Sequence, residues 1–348
     1  MTTASSVLAT LPTLVVGWPQ VSAKGFEPKG SSLPRLISLE NRAVVVPASP
    51  GNSTVPSCSR DQSSWDYFWY LVRIALARCA MPLAHVSEVD LYYEIHGDGF
   101  PLLMINGFGS NTEMWSPFWR RLAKSYRVIL FDNRGVGQST VPAAPFTVRD
   151  MAEDAAALLD ALGVPRSLVY GASMGGMIAQ ELVLAHPDRV RALLLGMTSC
   201  GGPHSVPMAV GSMQGTMAPG ATPAQMAEGR LRLMYSEAYF AEHRDELLRQ
   251  ALSVQHPTTL QGYRLQGMAT MKFDTYDRLP QIRTPTLVMA GSADAIIPAE
   301  NARIIASRIP GAQLRIFEGA GHAFTRECED DAVEAMLSFL EQVMRRSG

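Results

Sequence analysis

A doubly wound, mostly parallel α/β sheet with a helical cap inserted after the sixth strand is the fold this sequence predicts. Three observations carry the prediction. Short apolar runs alternate with helical stretches, that alternation breaks once, and a serine stands in a glycine-rich turn where one run meets the next helix. Taken in order, His85 to Ile95 reads as a hairpin of short strands closing in the turn His96-Gly97-Asp98-Gly99. Continuous runs follow at Leu102–Ile105, Val128–Phe131, Ser167–Tyr170, Ala192–Leu195, Thr286–Met289 and Leu314–Phe317. Such runs suit parallel strands buried on both faces. Between them, Val148 to Leu162, Met174 to Ala185 and Ala299 to Arg308 read as helices, with right-handed crossovers expected.

The break falls at 201–281, where Pro223 to Met234 and Glu237 to Val254 read as helices, so this segment is expected to form the cap. Residues 81–200 and 282–348 then make the core. Residues 1–80 are rich in Ser, Pro, Gly and Val without a period of 2 or 3.6, and are expected to be a poorly structured extension outside the catalytic fold. A leader, a flexible tail and an upstream extension of the reading frame before Met81 are all open.

Composition narrows the function. Of 348 residues, 47% are hydrophobic and 18% charged, which excludes a disordered chain. Thirty Lys and Arg against 32 Asp and Glu give a net charge of −2, so nucleic-acid binding has no electrostatic support. No apolar stretch reaches the roughly 20 residues of a membrane span. Cys58, Cys79, Cys200 and Cys328 form no CxxC pair, which suits a reduced, cytoplasmic setting. Secretion is the weaker alternative, because no Lys or Arg precedes the apolar patch Leu11 to Gly17.

The sharpest motif is Gly171-Ala172-Ser173-Met174-Gly175-Gly176, directly after one apolar run and directly before a helix. A serine there must sit in a strained turn that exposes its oxygen, and its neighbours must be small because strand and helix nearly touch. The helix N-terminus brings unpaired N–H groups and partial positive charge to a developing oxyanion. A serine hydroxyl needs a base, and His322, in Glu318-Gly319-Ala320-Gly321-His322 just after the last run, is the best placed of seven histidines. Asp294, in Gly291-Ser292-Ala293-Asp294, is the acid expected to orient it. Asp274 and Asp277 precede the strand and would lie at its wrong end. After Leu102–Ile105 stands Asn106-Gly107-Phe108-Gly109, whose small residues let backbone approach a substrate. The N–H groups of Phe108 and Met174 are the candidate oxyanion donors, and Asn106 and Gly107 candidate substrate contacts.

On these motifs, residues from about Met81 to Leu340 resemble the α/β-hydrolase fold family, in the branch holding 3-oxoadipate enol-lactonases and small esterases. Phe131-Asp132-Asn133-Arg134-Gly135-Val136-Gly137-Gln138-Ser139 is similar to the family's D-x-R-G-x-G-x-S turn, which implies structural roles for Arg134 and Ser139. Ala185-His186-Pro187-Asp188-Arg189-Val190 matches as well. The resemblance implies the chain order nucleophile, acid, base that Ser173, Asp294 and His322 follow. Some relatives carry the acid one strand earlier, but Gly196 to Ser205 holds no Asp or Glu. Many members have His-Gly where this chain has Asn106-Gly107, so hydrogen bonding in the oxyanion loop is expected to differ.

The implied activity is hydrolysis of a carboxylic ester or lactone through an acyl-serine. A carbon–carbon bond hydrolase of ring-cleavage products, a cofactor-free perhydrolase or an acyltransferase would use the same triad, and a ligand receptor on a hydrolase fold is the non-enzymatic alternative. Haloalkane dehalogenases and epoxide hydrolases carry Asp where Ser173 stands. No metal is expected, since no H-E-x-x-H spacing occurs, and no cofactor, since G-x-G-x-x-G is lacking. Met208, Met213, Met217, Met226, Met234, Met268 and Met271 suggest either an adaptable apolar pocket or a loosely packed cap. A small, uncharged or apolar substrate is the expected partner.

Overall fold

The structure is a computed structural model that describes residues 82–208 and 222–346. The expectation for residues 1–80, and Met213 and Met217 of the methionine set, lie outside the described residues. Eight strands form one sheet: β1 (Leu83–Val86), β2 (Val89–His96), β3 (Phe100–Ile105), β4 (Tyr126–Phe131), β5 (Ser167–Ala172), β6 (Val190–Gly196), β7 (Thr286–Gly291) and β8 (Gln313–Phe317). Their order is β1-β2-β4-β3-β5-β6-β7-β8. β1 and β2 pair antiparallel, as does β2 with β4, and every pairing from β4 through β8 is parallel.

Successive side chains of a strand point to opposite faces, and here both faces are covered. Leu103, Ile105, Val169, Leu193 and Leu195 enter one core with α2 (Val148–Ala161), α3 (Met174–Ala185) and α7 (Glu300–Arg308). Leu102, Met104, Leu168, Tyr170 and Leu194 enter the other with α1 (Trp119–Leu122) and α9 (Glu329–Arg345). Hence the apolar runs are continuous rather than alternating, and β5 and β7 are buried at every position. β8 is the outer strand, so it is exposed over most of its length although it reads as apolar.

Local chemistry sets the helix starts. Thr147 and Asp150 form a reciprocal capping box at α2. Glu329, Asp330 and Asp331 occupy the first turn of α9, where negative charge complements the dipole. Between β6 and β7 lie α4 (Pro223–Met234), α5 (Glu237–Leu252) and α6 (Leu260–Met271), and α8 (Phe324–Glu327) precedes α9. α4 and α5 share a small core of Leu231, Phe240 and Leu247. Met271 is 86% exposed, and Met226 and Met268 more than a third, Met268 on the wall of a half-open cleft with Leu260 and Leu265.

The turn after β4 is structural, as expected. Ser139 Oγ donates to Asp132 O at 2.6 Å and accepts from Tyr92 N–H at 2.9 Å, tying the turn to β2. Asp132 accepts N–H bonds from Thr112 and Gln138, and burial pushes its carboxyl pKa up. Arg134 reaches Asp154 on α2 through two bonds of 2.5 and 2.6 Å, with side chains only 13% and 2% exposed. Burial raises the Asp154 pKa even against the pull of Arg134, while the Asp154 hydrogen bond and charge raise that of Arg134 against its own burial, so each group depends on the other to stay charged. Breaking such a pair is worse than replacing it. Asp154→Ala is expected to lower stability by about 3–5 kcal/mol in urea unfolding, whereas Asp154→Leu with Arg134→Met should recover most of the loss. Equal losses in both variants would contradict this account.

Candidate active site

Because β5, β7 and β8 run parallel, the loops after their last residues open at one edge of the sheet. Ser173 follows β5 by one residue, Asp294 lies three beyond β7, and His322 five beyond β8. This shared direction brings residues distant along the chain to a common edge.

Ser173 stands between β5 and α3 at φ +56° and ψ −121°, a backbone state a side chain rarely adopts. Three bonds hold it there. Its N–H donates to Gly196 O at 2.9 Å, and its carbonyl accepts from Thr198 Oγ1 at 2.7 Å and from Gly176 N–H at 2.9 Å. The flanking glycines are demanded by close approach: a Cβ on Gly171 would strike the Gly175 carbonyl, and one on Gly175 would strike the Ile105 carbonyl. Either would push α3 off the sheet and release the turn.

Asp294 and His322 meet directly, with Nδ1 2.7 Å from Oδ2. The Asp294 side chain is fully buried and that of His322 is 8% exposed. Asp294 Oδ1 accepts from the N–H groups of Ile296 and Ile297 at 2.8 and 2.9 Å, which fixes the carboxylate plane. A carboxylate only accepts, so Nδ1 must donate, and the lone pair of the neutral ring lies on Nε2. Ala293 N–H donates to Ala320 O at 2.9 Å and Gly319 N–H to Ser292 Oγ at 2.8 Å, lacing the two loops together.

The alternative residues are occupied elsewhere. Asp274 accepts from Tyr276 N–H, and Asp277 faces Arg308. His186 pairs with Glu153, His256 with Glu113, His96 with Glu94 and His85 with Asp90. His243 bonds Tyr239 O, and His204 stacks on Tyr276.

Met174 is the first residue of α3, so its N–H has no acceptor within the helix. Gly107 packs against Ser173: a Cβ there would lie 3.1 Å from Ser173 Cβ. Phe108 is 45% exposed, its ring 5.6 Å from Tyr263 of α6. Asn106 corrects its expected role. It is 4% exposed, its amide donates to Asn111 O at 2.6 Å, and its carbonyl accepts from Asn133 Nδ2 at 3.0 Å. Its side chain therefore braces the loop from within instead of facing a substrate.

Sequence reasoning missed the residues that hold these loops from the inserted helices. Glu327 Oε1 accepts from Gly321 N–H at 2.9 Å and Ser236 N–H at 3.0 Å, and its Oε2 accepts from Ser236 Oγ at 2.5 Å. Ala323 N–H donates to Met234 O at 2.7 Å, and Arg326 reaches Gln250 and Glu246 at 2.5 and 2.8 Å. On the other side, Gln266 Oε1 accepts from Gly109 N–H at 2.8 Å. No local pattern marks these positions, because the contacts with residues 234–266 join residues tens of positions apart. Among the described residues, no group of three or more His, Cys, Asp or Glu could hold a metal ion.

Comparison with known proteins agrees with this architecture. A family model described as alpha/beta hydrolase fold matches residues 101–325. RutD of Azorhizobium caulinodans, whose name provisionally assigns it carbamate hydrolysis, is 33% identical over 266 residues, covering 76% of this chain and 99% of that protein. A poly(3-hydroxyalkanoate) depolymerase of Ectopseudomonas oleovorans is 32% identical over 258 residues, 71% of this chain and 86% of its own length. Among solved structures, the enol-lactonase of Burkholderia xenovorans LB400 superposes with a TM-score of 0.66 at 26% identity, covering 75% of this chain and all of that one. By its sheet order, its strained serine turn and this family match, the chain belongs to the α/β-hydrolase fold family.

Proposed function

We propose that this protein is a serine hydrolase that cleaves a carboxylic ester or lactone, with Ser173 as nucleophile, His322 as general base and Asp294 as its orienting acid. The observation that carries the reading is the buried Asp294–His322 contact at 2.7 Å, set at the sheet edge from which the strained Ser173 turn also emerges. In this reading Ser173 Oγ attacks the carbonyl carbon while Nε2 of His322 takes the hydroxyl proton. The N–H groups of Phe108 and Met174 hold the oxyanion; one such donor is worth about 100- to 1000-fold in rate. As the tetrahedral adduct collapses, His322 returns the proton to the leaving alkoxide. Water, deprotonated by His322, then releases the acyl group as a carboxylic acid.

α4 to α6 form the cap over this edge and select the substrate. The half-exposed Phe108 beside Tyr263 favours an uncharged or apolar acyl or ring group. A carbamate would pass through the same steps, and the relative named for that chemistry favours it as a second reading. Carbon–carbon hydrolysis keeps the triad as well, and a vinylogous diketone probe separates it.

Turnover of short p-nitrophenyl esters, a lactone, an aryl carbamate and a vinylogous diketone, measured side by side, tests the substrate class; activity on the diketone alone would overturn the ester reading. Ser173→Ala should lose at least about 1000-fold of the rate, with an unchanged melting temperature. Asp294→Asn should fold normally and lose about 10,000-fold in kcat, because the amide no longer holds the Nδ1–H tautomer. A near-normal rate in either variant would refute the triad.

A further inference from the structure

The oxyanion loop is gripped from one side by a single segment of the inserted helices, and the grip falls on the peptide next to the candidate donor. Ser110 N–H donates to Gly107 O at 3.2 Å, closing a turn over residues 107–110. Gly109 has φ +66°, while Phe108 is not among the described residues with positive φ. Positive φ at the third position alone is the signature of a type II turn, which differs from type I by a flip of its central peptide. That peptide joins Phe108 to Gly109.

Three residues act at Gly109: Gln266 on that peptide, Thr258 on the next one, and Tyr263 on the space beside Cα. Gln266, with no exposure, accepts the Gly109 N–H on Oε1 at 2.8 Å and donates from Nε2 to Arg134 O at 3.1 Å. The two partners fix the amide orientation, since an N–H must face the oxygen and a carbonyl the nitrogen. Thr258 Oγ1 donates to the Gly109 carbonyl at 2.9 Å. The Tyr263 ring fills the space where a Cβ at 109 would stand. Both hydrogen-bonding groups of Gly109 are thus satisfied by residues 258–266, while Gly107 at the turn's other end lies against Ser173.

We infer that Gln266, assisted by Thr258, is a positioning residue that locks the 107–110 turn in its type II form and so aims the Phe108 N–H at the oxyanion. This inference rests on the ester-hydrolase reading for its kinetic consequence, but not for the brace itself. Without Gln266 the Phe108–Gly109 peptide is free to flip. The 107–110 turn then loses the restraint that fixes its shape, and the adjoining Gly107–Phe108 peptide, which carries the donor, shifts relative to Ser173. Substrate affinity is not set by this peptide, so the loss falls on kcat.

The test uses the full chain with Gln266→Leu, Gln266→Glu and Thr258→Val, a p-nitrophenyl ester as probe, and amide hydrogen exchange across residues 103–115. Gln266→Leu should lower kcat by about 100-fold, the scale of an ångström's misplacement, with KM little changed and faster exchange in that segment. Thr258→Val should shift both in the same direction by a smaller factor, and it keeps the question open to test if Gln266→Leu fails to fold. In Gln266→Glu the carboxylate still accepts from Gly109 but repels the Arg134 carbonyl; once protonated it both accepts and donates. Its kcat relative to wild type should therefore rise as pH falls. Unchanged exchange, or accelerated exchange with normal kcat, overturns the proposal. A wild type inactive on every ester removes the proposed reaction, and exchange alone then decides the brace.

Discussion

The backbone of Ser173 is held where a side chain rarely goes, and most of the surrounding structure serves to keep it there. Such a conformation costs about 1–3 kcal/mol and persists only when its neighbours over-determine it. Here the neighbours are two strand ends and a helix: Gly196 at the end of β6 and Thr198 just beyond it take the Ser173 N–H and carbonyl, and Gly171 and Gly175 let α3 close on β3 and β5. The buried sheet beneath supplies the stiffness, because close-packed parallel strands leave the turn nowhere to relax.

From that fixed point the site is assembled by loops that are themselves braced. The acid and histidine loops are laced to each other through Ala293–Ala320 and Ser292–Gly319. The histidine loop is tied to the start of α5 through Glu327 and Ser236, and the 107–110 turn to α6 and the residues just before it through Gln266 and Thr258. The helices between β6 and β7 therefore do more than cover an edge.

The sheet was legible from residues because parallel strands buried on both faces read as unbroken apolar runs, and all of the expected runs became strands. The placement of Ser173, Asp294 and His322 at one edge of the sheet was legible because strand-to-loop transitions on parallel strands share a direction. Asn106 was misread as a substrate contact, since a polar residue after a strand gives no sign of which way its amide turns. It points inward to Asn111 O. The methionines left two readings open for a related reason: a helix's apolar content does not tell which face is covered, and Met271 lies on the open one while Met268 borders a cleft.

What the residues alone determined was local and periodic: strand and helix identity, the strained serine turn demanded by its glycines, and the end of the sheet at which each candidate group emerges. Only the tertiary structure decided which side chains brace those groups. Gln266 lies 157 positions from the amide it accepts and Glu327 lies 91 from Ser236, and neither separation leaves a trace in periodicity or turn chemistry. Hydrogen bonds of that reach exist only after the layers have packed, because packing alone brings their donors and acceptors within 3 Å of each other.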